Sequence, residues 1–262
     1  MKNATPTLVL LHGLASNGSR WWDFAARTRL KDWRILRPSL RGAAGSTDRR
    51  PVGMREWSDD LARLLDAEGA PRAVIAGHCL GANIALNFAA LYPQRTAGLV
   101  LIEPMPPRAL TGKLGFLRHF RFIPIGISWL ARALNTIGIY RRQVEPMDLE
   151  AWDKAVRAGT ADLAVYSSPF SDLRTTPVAS YFRALAAVGD PLPDLARITC
   201  PVLVLTSKNT NMTDLALARA ELQALPAAEF VQLDAEHWIP TEQPEALCKE
   251  VEDWIAAKGL SS

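Results

Sequence analysis

The chain has 262 residues, 48% of them hydrophobic and 22% charged, with a formal net charge of +3. That length suits one sizeable α/β domain and does not force two. The charge is too small, with no basic run interleaved with aromatics, to read as a nucleic-acid surface. Three cysteines, Cys79, Cys200 and Cys248, cannot all pair and show no disulfide or zinc spacing, which points to a reducing compartment. No stretch is long and apolar enough to span a membrane, and the run Leu8 to Leu11 is too short for the core of a signal peptide. A cytoplasmic location is expected.

Short β-branched or Leu-rich runs alternate with longer helical patterns, the signature of βαβ units. Strands are predicted at Thr7–Leu11 and Arg34–Arg37, then a helix at Met54–Ala67, a strand at Ala73–Ala76 and a helix at Gly81–Leu91 ended by Pro93. A strand at Gly98–Ile102 follows. After a long interval come the strand Val202–Thr206, the helix Asp214–Ala224, the strand Glu229–Leu233 and the helix Pro244–Ala257. Such near-continuous apolar strands are buried on both faces, so the expected fold is α/β, a mostly parallel sheet flanked by helices. From about Pro104 to Arg197 no strand pattern occurs, far beyond an ordinary connection of about six residues. Ile127, Leu130, Leu134 and Ile137 recur there at helical spacing. Residues 104–197 therefore read as a helical cap inserted before the last two strands, and residues 1–103 with 198–262 as the core domain.

Gly77-His78-Cys79-Leu80-Gly81 stands directly after an apolar strand and directly before a helical pattern. A nucleophile on a sharp strand-to-helix turn needs strained backbone and close packing of strand on helix, and a glycine two residues to either side relieves the crowding. The usual form of this elbow is G-x-S-x-G; here its centre is Cys79. The helix beginning at Leu80 brings free N–H groups and a positive dipole end to the sulfur, which favours thiolate. A small buried cysteine in a tight turn is the plainer alternative.

His12-Gly13 after the first strand, the elbow, and the tail Glu236-His237-Trp238 with Glu242-Gln243-Pro244-Glu245 together resemble the α/β-hydrolase superfamily. The likeness covers nearly the whole chain except the cap. Ser39-Leu40-Arg41-Gly42 with Gly45-Ser46 resembles the family's loop after the next strand, with Ser39 where Asp is common. The first strand is expected to begin near residue 7, so the separate antiparallel hairpin that often opens the family's fold is not expected before it.

What the resemblance implies about the site is specific. His237, after the last strand, stands where the family places its catalytic base; His12 belongs to the oxyanion turn, His78 is the variable elbow residue and His119 lies in the cap. The backbone N–H groups of Leu14 and Leu80 are the expected oxyanion donors. The orienting acid departs from the pattern, because the loop Ser207-Lys208-Asn209-Thr210-Asn211 carries no acid until Asp214. Two residues compete. Glu103, ending the strand Gly98–Ile102, matches the placement in branches such as the haloalkane dehalogenases; Asn209 would orient the imidazole through its amide carbonyl, as in Cys-His-Asn sites. Glu103 is preferred.

Between Arg108 and Arg142 the cap carries Lys113, Arg118, Arg121, Arg132, Arg141 and Arg142 with no acid, interleaved with Phe116, Phe120, Phe122, Ile125 and Trp129. One reading is a solvated basic face over a packed apolar face. The other is an anionic partner, such as coenzyme A, a carrier protein or an acidic acyl substrate. Taken together, the residues point to a hydrolase that cleaves a carboxylic ester or thioester through a cysteinyl acyl-enzyme, with no cofactor or metal implied. An acyl transferase or cyclase using the same intermediate, as in the polyhydroxyalkanoate synthases with their G-x-C-x-G elbow, is the rival. A non-catalytic binding protein of the same fold is a third reading.

Overall fold

The computed structural model describes residues 5–44, 46, 50–138, 144–163, 166 and 168–260. Gly45, Arg141 and Arg142, singled out above, lie outside the described residues. In chain order the elements are β1 (Thr7–Leu11), α1 (Trp22–Arg27), β2 (Arg34–Leu36), α2 (Met54–Ala67), β3 (Ala73–His78), α3 (Leu80–Leu91) and β4 (Thr96–Ile102). Then come α4 (Leu117–Phe120), α5 (Phe122–Thr136), α6 (Leu149–Arg157), α7 (Pro169–Thr175) and α8 (Val178–Val188). The chain closes with β5 (Val202–Ser207), α9 (Leu215–Leu222), β6 (Ala228–Leu233), α10 (Ile239–Glu242) and α11 (Pro244–Ala257).

The six strands form one sheet in the order β2-β1-β3-β4-β5-β6, and every neighbouring pair is parallel. Alternation within each strand splits the core in two. Val9, Leu11 and Ile75 point to the side covered by α2 and α3, where they meet Trp57, Leu61 and Phe88. Leu8, Leu10, Val74 and Ala76 point to the other side, against Trp21, Phe24 and Trp254 of the α1–α11 layer. Side chains such as Leu8, Ile75, Leu99 and Leu101 are fully buried, and each contributes about 1.5–3 kcal/mol of burial. The strand order changes direction between β1 and β3. That switch point opens a crevice at the C-terminal strand ends, where open α/β sheets bind ligands.

The predicted strands all form, with ends shifted by up to two residues; β3 runs on through Gly77 and His78 to the elbow itself. Two glycines make this turn possible. A Cβ on Gly77 would overlap the backbone of Gly81 and Ala82, and one on Gly81 would lie 2.5 Å from Leu11 O and 2.8 Å from His12 O. Their absence lets α3 cross close over β3 and β1.

The interval between β4 and β5 is helical, without a strand among the described residues. Its longest helix, α5, is turned the opposite way from a packed apolar face. Pro124, Ser128 and Ala131 are buried, whereas Phe122, Ile127, Trp129 and Leu130 are exposed, as are Phe116 and Phe120 just before the helix. Small residues on the inner side allow close approach to α8, where Ser128 Oγ donates to Ala179 O at 2.6 Å. A solvated basic face over a packed apolar face therefore does not describe this helix.

Because Gly81 meets backbone, which cannot swing aside as a side chain does, Gly81→Ala is expected to destabilise the fold by the cost of overpacking, about 1–3 kcal/mol. A urea titration reads this as a lower midpoint with an unchanged slope. An unaltered midpoint would contradict the close α3–β1 approach.

Candidate active site

Among the described residues, the non-glycine positions with positive φ are Ala15 (52°), Cys79 (56°) and Glu103 (49°). Each lies just beyond the C-terminal end of a central strand: β1, β3 and β4. A strained backbone residue costs on the order of 1–3 kcal/mol and persists where the surroundings hold it in place. Here the holding contacts are identifiable. Cys79 N donates to Ile102 O at 2.9 Å and Glu103 N to Leu205 O at 2.8 Å, so both residues are pinned to the next strand. Asn83 of α3 then braces the turn after Glu103, donating to Met105 O at 2.8 Å and accepting from Met105 N at 3.1 Å.

Glu103 and His237 meet. Nδ1 of the imidazole donates to Glu103 Oε2 at 2.9 Å, with both side chains 2% exposed. The second carboxylate oxygen, Oε1, accepts from the backbone N–H of Ser207. A carboxylate so buried needs both interactions to offset the loss of water. Asn209 is elsewhere: it is exposed, and its Nδ2 donates to Asp234 Oδ1 at 3.3 Å. The β5–β6 pairing continues past Ser207, with Lys208 N bonded to Leu233 O and Asn209 N to Ala235 O. This carries Asn209 past the imidazole rather than toward it.

The loop bearing His237 is held by a residue that sequence reasoning did not single out as a contact. Glu242 accepts from the backbone N–H groups of Glu236, His237 and Trp238 at 2.9, 3.3 and 2.8 Å. His78 adds a second anchor, its Nε2 donating to the carbonyl of His237 at 3.1 Å. Burial, the charge on His237 and Arg20 keep the His78 pKa well below its usual value, so it serves as a neutral donor. His12 is also neutral: burial brings its pKa down to about 4. Its Nδ1 donates to Gly13 O at 2.9 Å, leaving Nε2 to accept from Leu40 N at 3.0 Å.

His237 is the opposite case. Burial works to lower its pKa, but the Cys79 side chain and Glu103 together outweigh it, and the pKa is raised to about 9. Nε2, the nitrogen turned away from Glu103, is buried and has no aligned hydrogen-bond partner. The Cys79 side chain therefore lies close enough to raise the imidazole but short of full hydrogen-bond alignment, and such contacts are often loose before substrate is bound.

Gly13 lies against the cysteine, since a Cβ there would be 3.1 Å from Cys79 Cβ. The adjoining Leu14 N–H and the first N–H of α3, on Leu80, have no backbone acceptor among the described residues; the latter is one of the donors that every helix start leaves open. Cys79 and His237 open into a cavity of about 360 Å³ between the strand ends and the helical interval.

The cavity's far wall was not legible in the sequence. Arg20 Nη1 donates to Asp153 Oδ1 at 2.6 Å and to Thr241 Oγ1 at 2.8 Å, and its guanidinium lies 4.5 Å over the Tyr166 ring. Nothing in the local pattern marks Arg20 among 30 basic residues. Asp172 also lines the cavity, its carboxyl pushed up to about 7 by burial against a Tyr181 hydrogen bond that lowers it.

A parallel sheet with a strained elbow after β3, a buried imidazole after β6 and an open backbone N–H pair between them is the arrangement of an α/β hydrolase. The chain belongs to the alpha/beta hydrolase family, whose sequence profile matches residues 8–250. It is 23% identical to epoxide hydrolase 4 of Homo sapiens over 265 aligned positions, covering 93% of this chain and 70% of that protein. Over 161 positions it is 36% identical to a pimeloyl-[acyl-carrier protein] methyl ester esterase of Aromatoleum aromaticum, covering 56% of this chain and 62% of that protein. Among solved structures, the fold is similar to a thermophilic esterase from Thermogutta terrifontis, with a TM-score of 0.70 and 21% identity over 98% of this chain and 91% of the other.

The raised pKa of His237 has a direct consequence. The ring stays protonated through neutral pH and loses its proton only as the pH rises through about 9. NMR titration of the His237 ring is expected to show this, and Cys79→Ala and Glu103→Gln should each shift the midpoint downward. A midpoint at or below the ordinary histidine value of about 6.5 would contradict the charge pairing.

Proposed function

We propose that this protein hydrolyses a carboxylic ester or thioester through a covalent cysteinyl acyl-enzyme, with Cys79 as nucleophile, His237 as acid and base, and Glu103 as the orienting acid. The observation that carries the reading is the alignment of three strand ends. The elbow bearing Cys79, the Gly13-Leu14 turn packed against it and His237, held from behind by Glu103, all face one cavity.

In this scheme the sulfur attacks the acyl carbonyl as thiolate, the nucleophilic form of a cysteine, with the imidazole beside it holding the proton. The developing oxyanion is received by the N–H groups of Leu14 and Leu80; one such donor is worth about 3–4 kcal/mol. The tetrahedral adduct can collapse either way, and thiolate leaves more readily than alkoxide. His237 decides the direction by giving its Nε2 proton to the leaving oxygen or sulfur, which departs as alcohol or thiol. The neutral imidazole then takes a proton from water, hydroxide attacks the thioester carbonyl, and the carboxylic acid and the Cys79–His237 pair are regenerated. Glu103 holds the ring in one orientation and stabilises its charge throughout.

Support for an acyl ester comes from the likeness to the methyl ester esterase. A thioester of coenzyme A or of a carrier protein fits the basic residue Lys113 on the cavity wall, and a reducing, cytoplasmic setting would keep Cys79 a thiol. The same intermediate would serve an acyl transferase if another nucleophile replaced water.

Steady-state kinetics on soluble short-chain esters and thioesters test the assignment. Cys79→Ala is expected to abolish turnover; Glu103→Gln should lower kcat by about 10⁴, the loss seen when the orienting acid of a triad is spoiled. Asn209→Ala should leave kcat unchanged. Equal turnover in Glu103→Gln would remove Glu103 from the scheme, and a large loss in Asn209→Ala would put the amide back into it.

A further inference from the structure

The outward face of α5 has no place in the chemistry above. Its buried strip is small, whereas Phe122 is 63% exposed, Trp129 74% and Leu130 61%, with Phe120, Ile123 and Ile127 beside them at 50, 46 and 38%. Contiguous apolar surface of this kind on a globular protein marks an interaction site.

Charge identifies the partner. From Pro104 to Val144 the chain contains no Asp or Glu, while Arg108, Lys113, Arg118, Arg121 and Arg132 fall within that span. Arg121 is paired with Asp190 at 2.6 Å. Lys113 and Arg118 are exposed and have no carboxylate partner among the described residues. Exposed aromatic and branched aliphatic side chains in a segment that carries cations and no acid of its own is the composition of a helix that lies in a bilayer interface, where tryptophan is favoured at the headgroup level. The face is a convex helix and not a groove, so it suits a deformable surface better than a small acidic protein, which would meet the cations and leave the apolar row uncovered.

We infer that the α4–α5 face seats on the surface of an anionic lipid bilayer. Its aromatic and aliphatic side chains enter the headgroup boundary, and Lys113 and Arg118 face the lipid phosphates. This is peripheral attachment; no helix among the described residues is long and apolar enough to cross a membrane. The turn before α4 supplies Lys113 and Leu114 to the cavity wall, so the docking face is continuous in sequence with that wall. Acceptance of a membrane-held acyl substrate rests on the hydrolase reading; the docking does not.

The test uses the full chain with vesicles of phosphatidylcholine, with and without phosphatidylglycerol. Cosedimentation with the phosphatidylglycerol vesicles is expected, weakening as salt is raised. Arg118→Gln should lower the affinity about fivefold, the worth of one cation near an anionic surface. The double variant Ile123→Ser, Trp129→Ser should lose binding while keeping its circular dichroism spectrum, its melting temperature and its turnover of soluble substrate, since both positions are exposed. Failure to bind anionic vesicles overturns the proposal, as does undiminished binding by the double variant. A dimer dissolved by the double variant, or capture of an acidic carrier protein through this face, would overturn it if vesicles are not bound. Vesicle binding without turnover of any acyl donor would leave the docking standing and the hydrolase reading refuted.

Discussion

The buried contact between Glu103 Oε2 and His237 Nδ1 ties the end of β4 to the loop after β6, across the intervening strand β5. Both side chains are 2% exposed, so each is the other's replacement for water; removing one partner of a buried pair typically costs about 3–5 kcal/mol. The neighbourhood is built around that requirement. Ser207 supplies an N–H to the free carboxylate oxygen, and Glu242 and His78 hold the loop that carries the imidazole. The left-handed backbone at Glu103 turns its side chain off the strand direction and across the end of β5.

Much of the fold was legible because its signals are local. Runs such as Leu8–Leu11 and Leu99–Ile102 are continuous and apolar, and the elbow announces itself through Gly77 and Gly81 at fixed spacing around Cys79, although the need for Gly81 comes from Leu11 and His12 of the neighbouring strand end. The acid was harder. Glu103 and Asn209 both sit at C-terminal strand ends, and His237 is 134 positions from Glu103. Only the lateral order of the strands and the course of the β5–β6 ladder past Ser207 decide which of them comes to the imidazole. Glu242 appeared in the sequence as part of a resembling tail, but its three backbone contacts depend on how the loop folds back on α10.

Helix α5 shows where periodicity stops being informative. Ile127, Leu130 and Leu134 recur at helical spacing and Ile137 follows just past the helix end, and a stripe of that kind ordinarily packs inward. The helix also carries a second stripe, Pro124, Ser128 and Ala131, and close approach to α8 selects the small one. Hydrophobic spacing identifies the helix; which stripe is buried is set by the distance to its neighbour. The polar network that holds Arg20 and Tyr166 at the cavity wall was hidden for a similar reason, because these two and their partners Asp153 and Thr241 come from four separate segments and converge only in the folded chain.

The central claim is that Cys79 becomes covalently acylated, and intact protein mass after rapid mixing with a panel of activated esters and acyl thioesters tests it most directly. A transient gain equal to the acyl group, located on Cys79 by peptide mapping and decaying as free acid appears, is the predicted result. Turnover without any such gain, or an adduct that maps to another residue, would contradict the account.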